Sequence, residues 1–330
     1  MDQPELSIVI PMFNEGPNVE LLFERLTPVL ERIAESHELL FVDDGSSDDT
    51  FQRVKALAAV HSNVRALAFS RNFGKEIALA AGIDNADGKA VILMDADLQH
   101  PPEFIERFVT LWREGYEMVY GQRVDRSVDG PLRRLLTRGF YRLFADFGET
   151  PLPEGAGDFR LLDRKVVLAL RRLGERARFS KGLYAWVGFK SIGVPFEVAE
   201  RAHGTSKWSF RKLFSLAANG ITSFSTLPLK VWIYVGMLIS LCSLIYAGIF
   251  LLRTLVYGVD VPGFPSLFVS VMFFSGIQMM SLGILGEYIG RIFAEVKRRP
   301  LYIVAEEVNA APRPAIGARD DRRANADRVN

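Results

Sequence analysis

The densest chemistry in the sequence is Asp95-Ala96-Asp97, followed by Leu98-Gln99-His100-Pro101-Pro102. Two carboxylates flank one small residue. Hard cations such as Mg2+ and Mn2+ prefer oxygen ligands, and Mg2+ often binds through one or two carboxylates together with substrate phosphates. The pair therefore reads as a divalent-cation site facing a phosphorylated substrate, and Gln99 could add a carbonyl oxygen. A second acidic group, Asp43-Asp44-Gly45-Ser46-Ser47-Asp48, offers carboxylates that can accept hydrogen bonds from a base or a ribose, with Gly45 allowing a tight turn. A third, Pro11-Met12-Phe13-Asn14-Glu15, places Glu15 where it could meet ribose hydroxyls. Each has an ordinary alternative: a solvated acidic turn, an Asp-Gly turn with a helix cap, and a cap for the next helix. The chemical reading gains from what precedes each group.

What precedes each is an apolar run. Residues 6–11, 39–44, 64–70, 90–97 and 117–123 read as strands, and helical patterns lie between them. The helices run to about residue 35, over 49–60, from about Lys75, and onward from Pro101 and Pro102. Near-continuous apolar strands alternating with helices predict an α/β fold with a mostly parallel sheet covered on both faces. In such sheets the ligand sits beyond the carboxyl ends of the strands. Those ends carry Asn14-Glu15, Asp43-Asp44, Asp95-Asp97 and Arg123, so the candidate residues converge on one edge. No GxGxxG follows the first strand, which disfavours a dinucleotide-binding enzyme.

The composition changes along the chain. Residues 231–252 and 261–286 carry the two long apolar runs; the first has no charge at all and neither has the second. An uncharged run of about 20 residues is long enough to span the hydrocarbon core. The expectation is a transmembrane hairpin over 229–290, with spans at about 231–252 and 264–286. Lys207, Arg211, Lys212 and Lys230 precede it, and Arg291, Lys297, Arg298 and Arg299 follow it. The positive-inside rule puts both ends in the cytoplasm. Before the hairpin, 1–228 reads as the catalytic domain. Within it, 131–147 and 206–224 read as amphipathic helices, and Arg134, Arg138 and Arg142 line one side of the first. After the hairpin, 291–330 reads as a cytoplasmic C-terminal segment, disordered from about 309. The balance of 40 basic and 39 acidic residues, net +1, gives no reason to expect nucleic acid as a partner. The single cysteine, Cys242, excludes an internal disulfide framework, and four scattered histidines do not make a zinc site. The first six residues lack the basic start and apolar stretch of a signal peptide.

Taken in order, PMFNE (11–15), DDGSSD (43–48), DADLQHPPE (95–103), GQR (121–123), GDFRLLDR (157–164), GTSKW (204–208) and EYIGRIFAEVKRRPLY (287–302) resemble the family-2 glycosyltransferases. The resemblance covers about residues 5–305 and is closest to the polyprenyl-phosphate glycosyltransferases. That subgroup includes dolichyl-phosphate mannose synthase and the GtrB-type bactoprenol glucosyltransferases. The resemblance implies a GT-A catalytic domain and an inverting, divalent-metal-dependent sugar transfer on the cytoplasmic side of a bacterial inner membrane. It implies Mg2+ or Mn2+ held by Asp95, Asp97 and Gln99, with Asp97 also counted as catalytic. It implies a nucleotide-sugar site lined by Pro11, Asn14, Glu15, Asp43, Asp44, Asp95 and Ala96. Asp158 falls where the family often has a carboxylate acting as base or sugar ligand. The cationic helpers for the acceptor phosphate would be Arg123, Arg134, Arg138, Arg201 and Lys207. Partners implied are a nucleotide sugar, polyprenyl (undecaprenyl) phosphate, membrane lipids, a homo-oligomer such as a tetramer, and a flippase or downstream glycosyltransferase.

The implied chemistry is coherent. A phosphate monoester is ionised at neutral pH and is its own nucleophile. The departing nucleoside diphosphate gains charge that a cation neutralises. Catalysis then reduces to positioning and electrostatics. Glucose, mannose, N-acetylglucosamine and an aminoarabinose derivative fit the same motifs, and UDP is preferred over GDP. Two alternatives differ in class. A processive polysaccharide synthase would carry a QxxRW motif, and the sequence has none. A non-catalytic membrane scaffold would have lost a carboxylate of the Asp95/Asp97 pair, and both are present. A transporter is disfavoured by having two spans and no internal repeat.

Overall fold

The computed structural model of the protein describes residues 3–123, 155–175, 180–196 and 263–309, together with isolated positions within 236–257. The chain begins with strand β1 (Leu6–Met12), every residue of which is buried. A 3-10 turn at Gly16–Asn18 leads into α1 (Val19–Ile33), whose Leu22, Leu26, Val29 and Leu30 form the apolar stripe expected of a helix lying on a sheet. There follow β2 (His37–Asp43), α2 (Thr50–Val60), β3 (Val64–Phe69), α3 (Lys75–Asn85) and β4 (Ala90–Leu93). Strands β1, β2, β3 and β4 pair in parallel, in the order β4-β1-β2-β3.

Alternation along the strands sends side chains to two cores. Ile8 and Ile10 pack with Leu22 and Leu26 on one face; Val9 packs with Leu40, Leu79 and Leu162 on the other. Helix α3 sits especially close. A Cβ on its Gly82 would lie 2.0 Å from Val9 Cγ1, so only glycine permits this approach.

The second half departs from the expected mostly parallel order. After α4 (Phe104–Arg113) and β5 (Met118–Arg123), strand β6 (Ala156–Asp163) inserts between β4 and β5, antiparallel to both. Helices α5 (Arg164–Arg172) and α6 (Ser180–Trp186) precede β7 (Ser191–Phe196), which lies parallel to β5. The sheet is therefore mixed, with the order β7-β5-β6-β4-β1-β2-β3 and, beyond β3, the edge strand β8 (Val304–Val308). Strand β4 is also shorter than its apolar run. Its pairing with β1 and β6 ends at Leu93, and one bond from Met94 N to the Val9 carbonyl (3.1 Å) follows. Asp95 to Asp97 thus stand clear of the sheet, free of ladder geometry.

Near the C-terminus is α7 (Phe264–Val296), then β8 (Val304–Val308), which pairs antiparallel with β3 at the sheet edge. The sequence pattern predicts no strand here. Tyr302 stacks on Phe69 at 5.1 Å, and Asn309 Nδ2 donates to the carbonyls of Ala58 (2.7 Å) and Val64 (2.9 Å). Helix α7 carries no charge from Phe264 to Gly286. Its described apolar side chains are exposed on several sides, among them Leu267, Phe273, Met279, Met280 and Ile289. Counted over the described residues, no helix is long and apolar enough to cross a membrane. The run 231–252 is described only at isolated positions, which are helical, and the amphipathic segments 131–147 and 206–224 lie outside the described residues.

Candidate active site

Three loops at the carboxyl ends of β1, β2 and β3 brace one another. Asn14, with a positive φ of 55°, accepts a bond on Oδ1 from Ser47 N (2.8 Å), and its own N–H donates to Ser46 Oγ (2.9 Å). Glu15 N donates to Thr50 Oγ1 (2.9 Å), and Glu15 Oε2 accepts from Asn18 Nδ2 (2.6 Å). Asp43 accepts from Ser46, through both its N–H and its hydroxyl. Asp44 accepts from Phe73 N (2.6 Å) and Gly74 N (2.9 Å). Gly45 has φ +70°, and a Cβ there would meet the Arg71 backbone at 2.5 Å, so this crossing of two loops needs glycine. Burial pushes the carboxyls of Asp43 and Asp44 up, against the pull of these hydrogen bonds. Pro11 lies within β1 opposite Val42. The structure thus brings Asn14, Glu15, Asp43 and Asp44 onto neighbouring loops past the ends of β1 and β2, where their side chains hold those loops together.

The second group stands past the end of β4. Leu98 is buried with φ +56°, an uncommon conformation for a leucine, and it turns the chain sharply between Asp97 and Gln99. Ligand atoms of Asp95, Asp97 and His100 fall within 4.8 Å of one another. Ala96, between the two carboxylates, is buried. Gln99 N donates to Asp97 Oδ1 (3.2 Å). His100 lies flat against Phe159, with centroids 4.8 Å apart, and its Nδ1 is buried without a hydrogen-bond partner. Burial pushes the imidazole pKa down, against the neighbouring carboxylates, which favours the neutral form that can ligate. Two carboxylates, a neutral imidazole and an orphaned ring nitrogen fit a divalent cation. Sequence pattern does not single out His100 among four scattered histidines; its place three residues past Asp97 is the one signal it carries.

Nor does it single out Lys75, the first residue of α3. Its Nζ lies 2.7 Å and 2.8 Å from the two carboxylate oxygens of Asp95 and 2.9 Å from Asp158 Oδ2. Burial opposes the ammonium charge, but Asp95 and Asp158 outweigh it and hold the pKa well above the usual lysine range. Asp158, on β6, is the counterpart. Burial alone would raise its pKa; the charges of Lys75 and Lys181 and the bond from Lys75 hold it well below the carboxylate range. Its other oxygen, Oδ1, is buried without a partner. Behind it, Arg160 stacks on the Tyr184 ring at 3.8 Å and donates to the Gly157 carbonyl (2.5 Å). Glu76 accepts from Ser180 N (3.1 Å), and burial, with Asp158 nearby, raises its pKa.

Strand β5 ends at Arg123, whose backbone pairs with Phe196. Arg134, Arg138, Arg142, Arg201 and Lys207 lie outside the described residues.

Residues 7–171 match the model of the glycosyl transferase family 2 domain. An uncharacterized glycosyltransferase of Synechocystis sp. is 49% identical over 302 residues, covering 92% of this chain and 95% of that protein. The SfII prophage-derived bactoprenol glucosyl transferase of Shigella flexneri is 43% identical over 308 residues, covering 93% of this chain and all of that one (100%). Among solved structures, the chain is similar to glucosyl-3-phosphoglycerate synthase from Mycobacterium tuberculosis in complex with Mn2+ and UDP-glucose. There the TM-score is 0.42 and the identity 20%, over 65% of this chain and 76% of that one. The chain belongs to glycosyltransferase family 2, and the protein is a transferase with a GT-A-like mixed α/β sheet.

Proposed function

We propose that this enzyme transfers a hexose, with inversion, from a UDP-sugar to polyprenyl phosphate at the cytoplasmic face of a bacterial inner membrane. The observation that carries the reading is the cluster of Asp95, Asp97 and His100 beside the ionised Asp158, beyond the end of β4. A bactoprenol glucosyl transferase matching over its whole length supports the lipid acceptor.

Asp95, Asp97 and His100 would hold Mg2+ or Mn2+, with Gln99 as a further oxygen donor; the cation would neutralise charge on the departing diphosphate. The loops of Pro11, Asn14, Glu15, Asp43, Asp44 and Ala96 would shape the nucleotide site. The acceptor phosphate needs no proton removed before it attacks the anomeric carbon. Asp158 is already paired with Lys75, which makes it a poor base. Its buried, unpartnered Oδ1 suits a sugar hydroxyl instead. Asp158 is therefore a sugar ligand, orienting the ring for attack. Arg123, Arg134, Arg138, Arg201 and Lys207 would receive the acceptor phosphate at the headgroup level, since arginine pairs with phosphate oxygens in two places.

No helix counted over the described residues alone is long and apolar enough to span, but the full sequence of α7, 33 residues long and uncharged from Phe264 to Gly286, would reach about 50 Å at 1.5 Å per residue. Apolar exposure on several sides is what lipid, rather than water, accommodates. With 231–252 it would form the hairpin of 229–290, both termini cytoplasmic, joining the catalytic domain of 1–228 to the C-terminal segment of 291–330. Homo-oligomers would form through these spans.

The test is transfer by the full-length protein in lipid nanodiscs, with radiolabelled UDP-hexose and undecaprenyl phosphate. Label should enter the lipid phase, stop in EDTA and return with Mn2+. Release of free sugar at the same rate without the lipid would overturn the assignment of the acceptor.

A further inference from the structure

We infer that Lys75 is an internal stand-in for the divalent cation: it occupies Asp95 when no metal is bound and must leave that carboxylate when one arrives. The inference rests on reading Asp95 as a metal ligand. Three observations carry it.

First, the ammonium straddles Asp95, within 2.8 Å of both carboxylate oxygens. A cation approaching Asp95 therefore finds neither oxygen uncontested. Second, the same Nζ is 2.9 Å from Asp158 Oδ2, so Lys75 has a second anion to keep when it yields Asp95. Third, Lys75 is tethered from behind. It opens α3 directly after Gly74, whose φ of +102° and N–H to Asp44 fix where the helix begins. The ammonium can shift between two carboxylates while its backbone stays with the loop that Asp44 holds. Its side chain as a whole is 45% exposed, so the stem reaches solvent although the ammonium is buried between the two carboxylates.

The charge balance explains the arrangement. Asp95, Asp97 and Asp158 crowd one strand end, and without a cation they repel one another and spread. Lys75 keeps Asp95 and Asp158 in place in the empty enzyme. Once a cation binds, Lys75 remains on Asp158 and fixes the carboxylate that orients the sugar. It is a positioning residue acting through Asp158.

The signature is a pair of opposite effects. In the full-length protein in nanodiscs, Mn2+ binding without donor is followed by electron paramagnetic resonance. Lys75→Met should bind Mn2+ about five- to tenfold more tightly, the scale of one charged hydrogen-bonding competitor removed from a half-exposed site. The same variant should lose turnover by about a hundredfold, with the Michaelis constant for the donor changed much less. Lys75→Arg should recover part of the turnover and retain the weaker Mn2+ binding. Lys181→Met, which removes a nearby charge without a contact to Asp95, should tighten Mn2+ by no more than about twofold. Equal or weaker Mn2+ binding in Lys75→Met, with its melting curve unchanged, would overturn the proposal. So would equal tightening in Lys181→Met, which would reduce the effect to general field. Absence of any Mn2+ binding in the unaltered protein would instead overturn the metal reading itself.

Discussion

Two clusters in this domain share one plan, a cation between two carboxylates, at opposite ends of the sheet. At the amino ends of the strands, Arg65 NH1 reaches Glu38 Oε2 (2.6 Å) and Asp87 Oδ2 (2.9 Å). At the carboxyl ends, Lys75 reaches Asp95 and Asp158. The first is buried at its centre: the side chains of Arg65 and Glu38 are each 8% exposed, with Asp87 at its open edge. It is also complete. Glu38 Oε1 accepts from Ser7 Oγ (2.5 Å) and Asp87 N (2.7 Å), and Ser7 Oγ accepts from Gly88 N (2.7 Å). The second leaves Asp158 Oδ1 and His100 Nδ1 without partners. A buried ionic group is tolerated when every lone pair is answered, and an incomplete one is costly unless something else completes it. Charge type does not separate the structural cluster from the functional one. Hydrogen-bond completeness does.

That contrast can be broken at either end. The largest effect should come from Asp97→Ala, which should reduce transfer by at least about a thousandfold while leaving the melting temperature almost unchanged. Transfer by that variant at the full rate in EDTA would remove the metal from the argument. Arg65→Met should do the reverse. It strands Glu38 in the interior and should cost roughly 3–5 kcal/mol of stability in chemical denaturation, since one partner of a buried pair is lost. The fraction that stays folded should keep the Mn2+ dependence of transfer. If Arg65→Met changed metal affinity, the two clusters would be coupled and the comparison would fail.

The smallest effect concerns His37, next to Glu38. Burial lowers its pKa, with Glu31 opposing, and Asn63 Nδ2 lies 3.0 Å from its Nε2. The unfolded chain, with a histidine pKa near 6.5, takes up the proton first. The stability this supplies is fully present above about pH 6.5 and is lost as pH falls through the folded value. Melting curves from pH 8 to pH 5 should therefore fall less steeply for His37→Gln than for the unaltered protein. Parallel curves would show that the ring contributes nothing.

The sequence made the parallel half of the sheet legible because each strand of that half carries an unbroken apolar stretch (Ile8–Ile10, Leu39–Val42, Ala66–Phe69, Ala90–Leu93) and polar residues follow each one. Asp43, Asp44, Asp95 and Asp97 were found for the same reason. Lys75 was not, because a lysine opening a helix is ordinary until β6 brings Asp158 alongside; for His100 the one local signal is its place three residues past Asp97, and its burial comes only with Phe159 of β6. The insertion of β6 between β4 and β5 was equally hidden, since strand order depends on long-range pairing that no local pattern encodes. Strand β8 escaped because Val304-Ala305-Glu306-Glu307-Val308 has two adjacent glutamates among its five residues, as an edge strand tolerates.

That last strand has a consequence for how the protein is made. Lys55 pairs with Glu306, 251 residues further along the chain, and the outer edge of β3 receives its neighbour only when β8 leaves the ribosome. Until then a finished-looking domain presents a row of unpaired backbone groups, the kind of edge that recruits other chains. Helix α7 is synthesised in that interval. Among the described elements the sheet is thus the last to be completed, and its final strand can close only after the long apolar helix has been made.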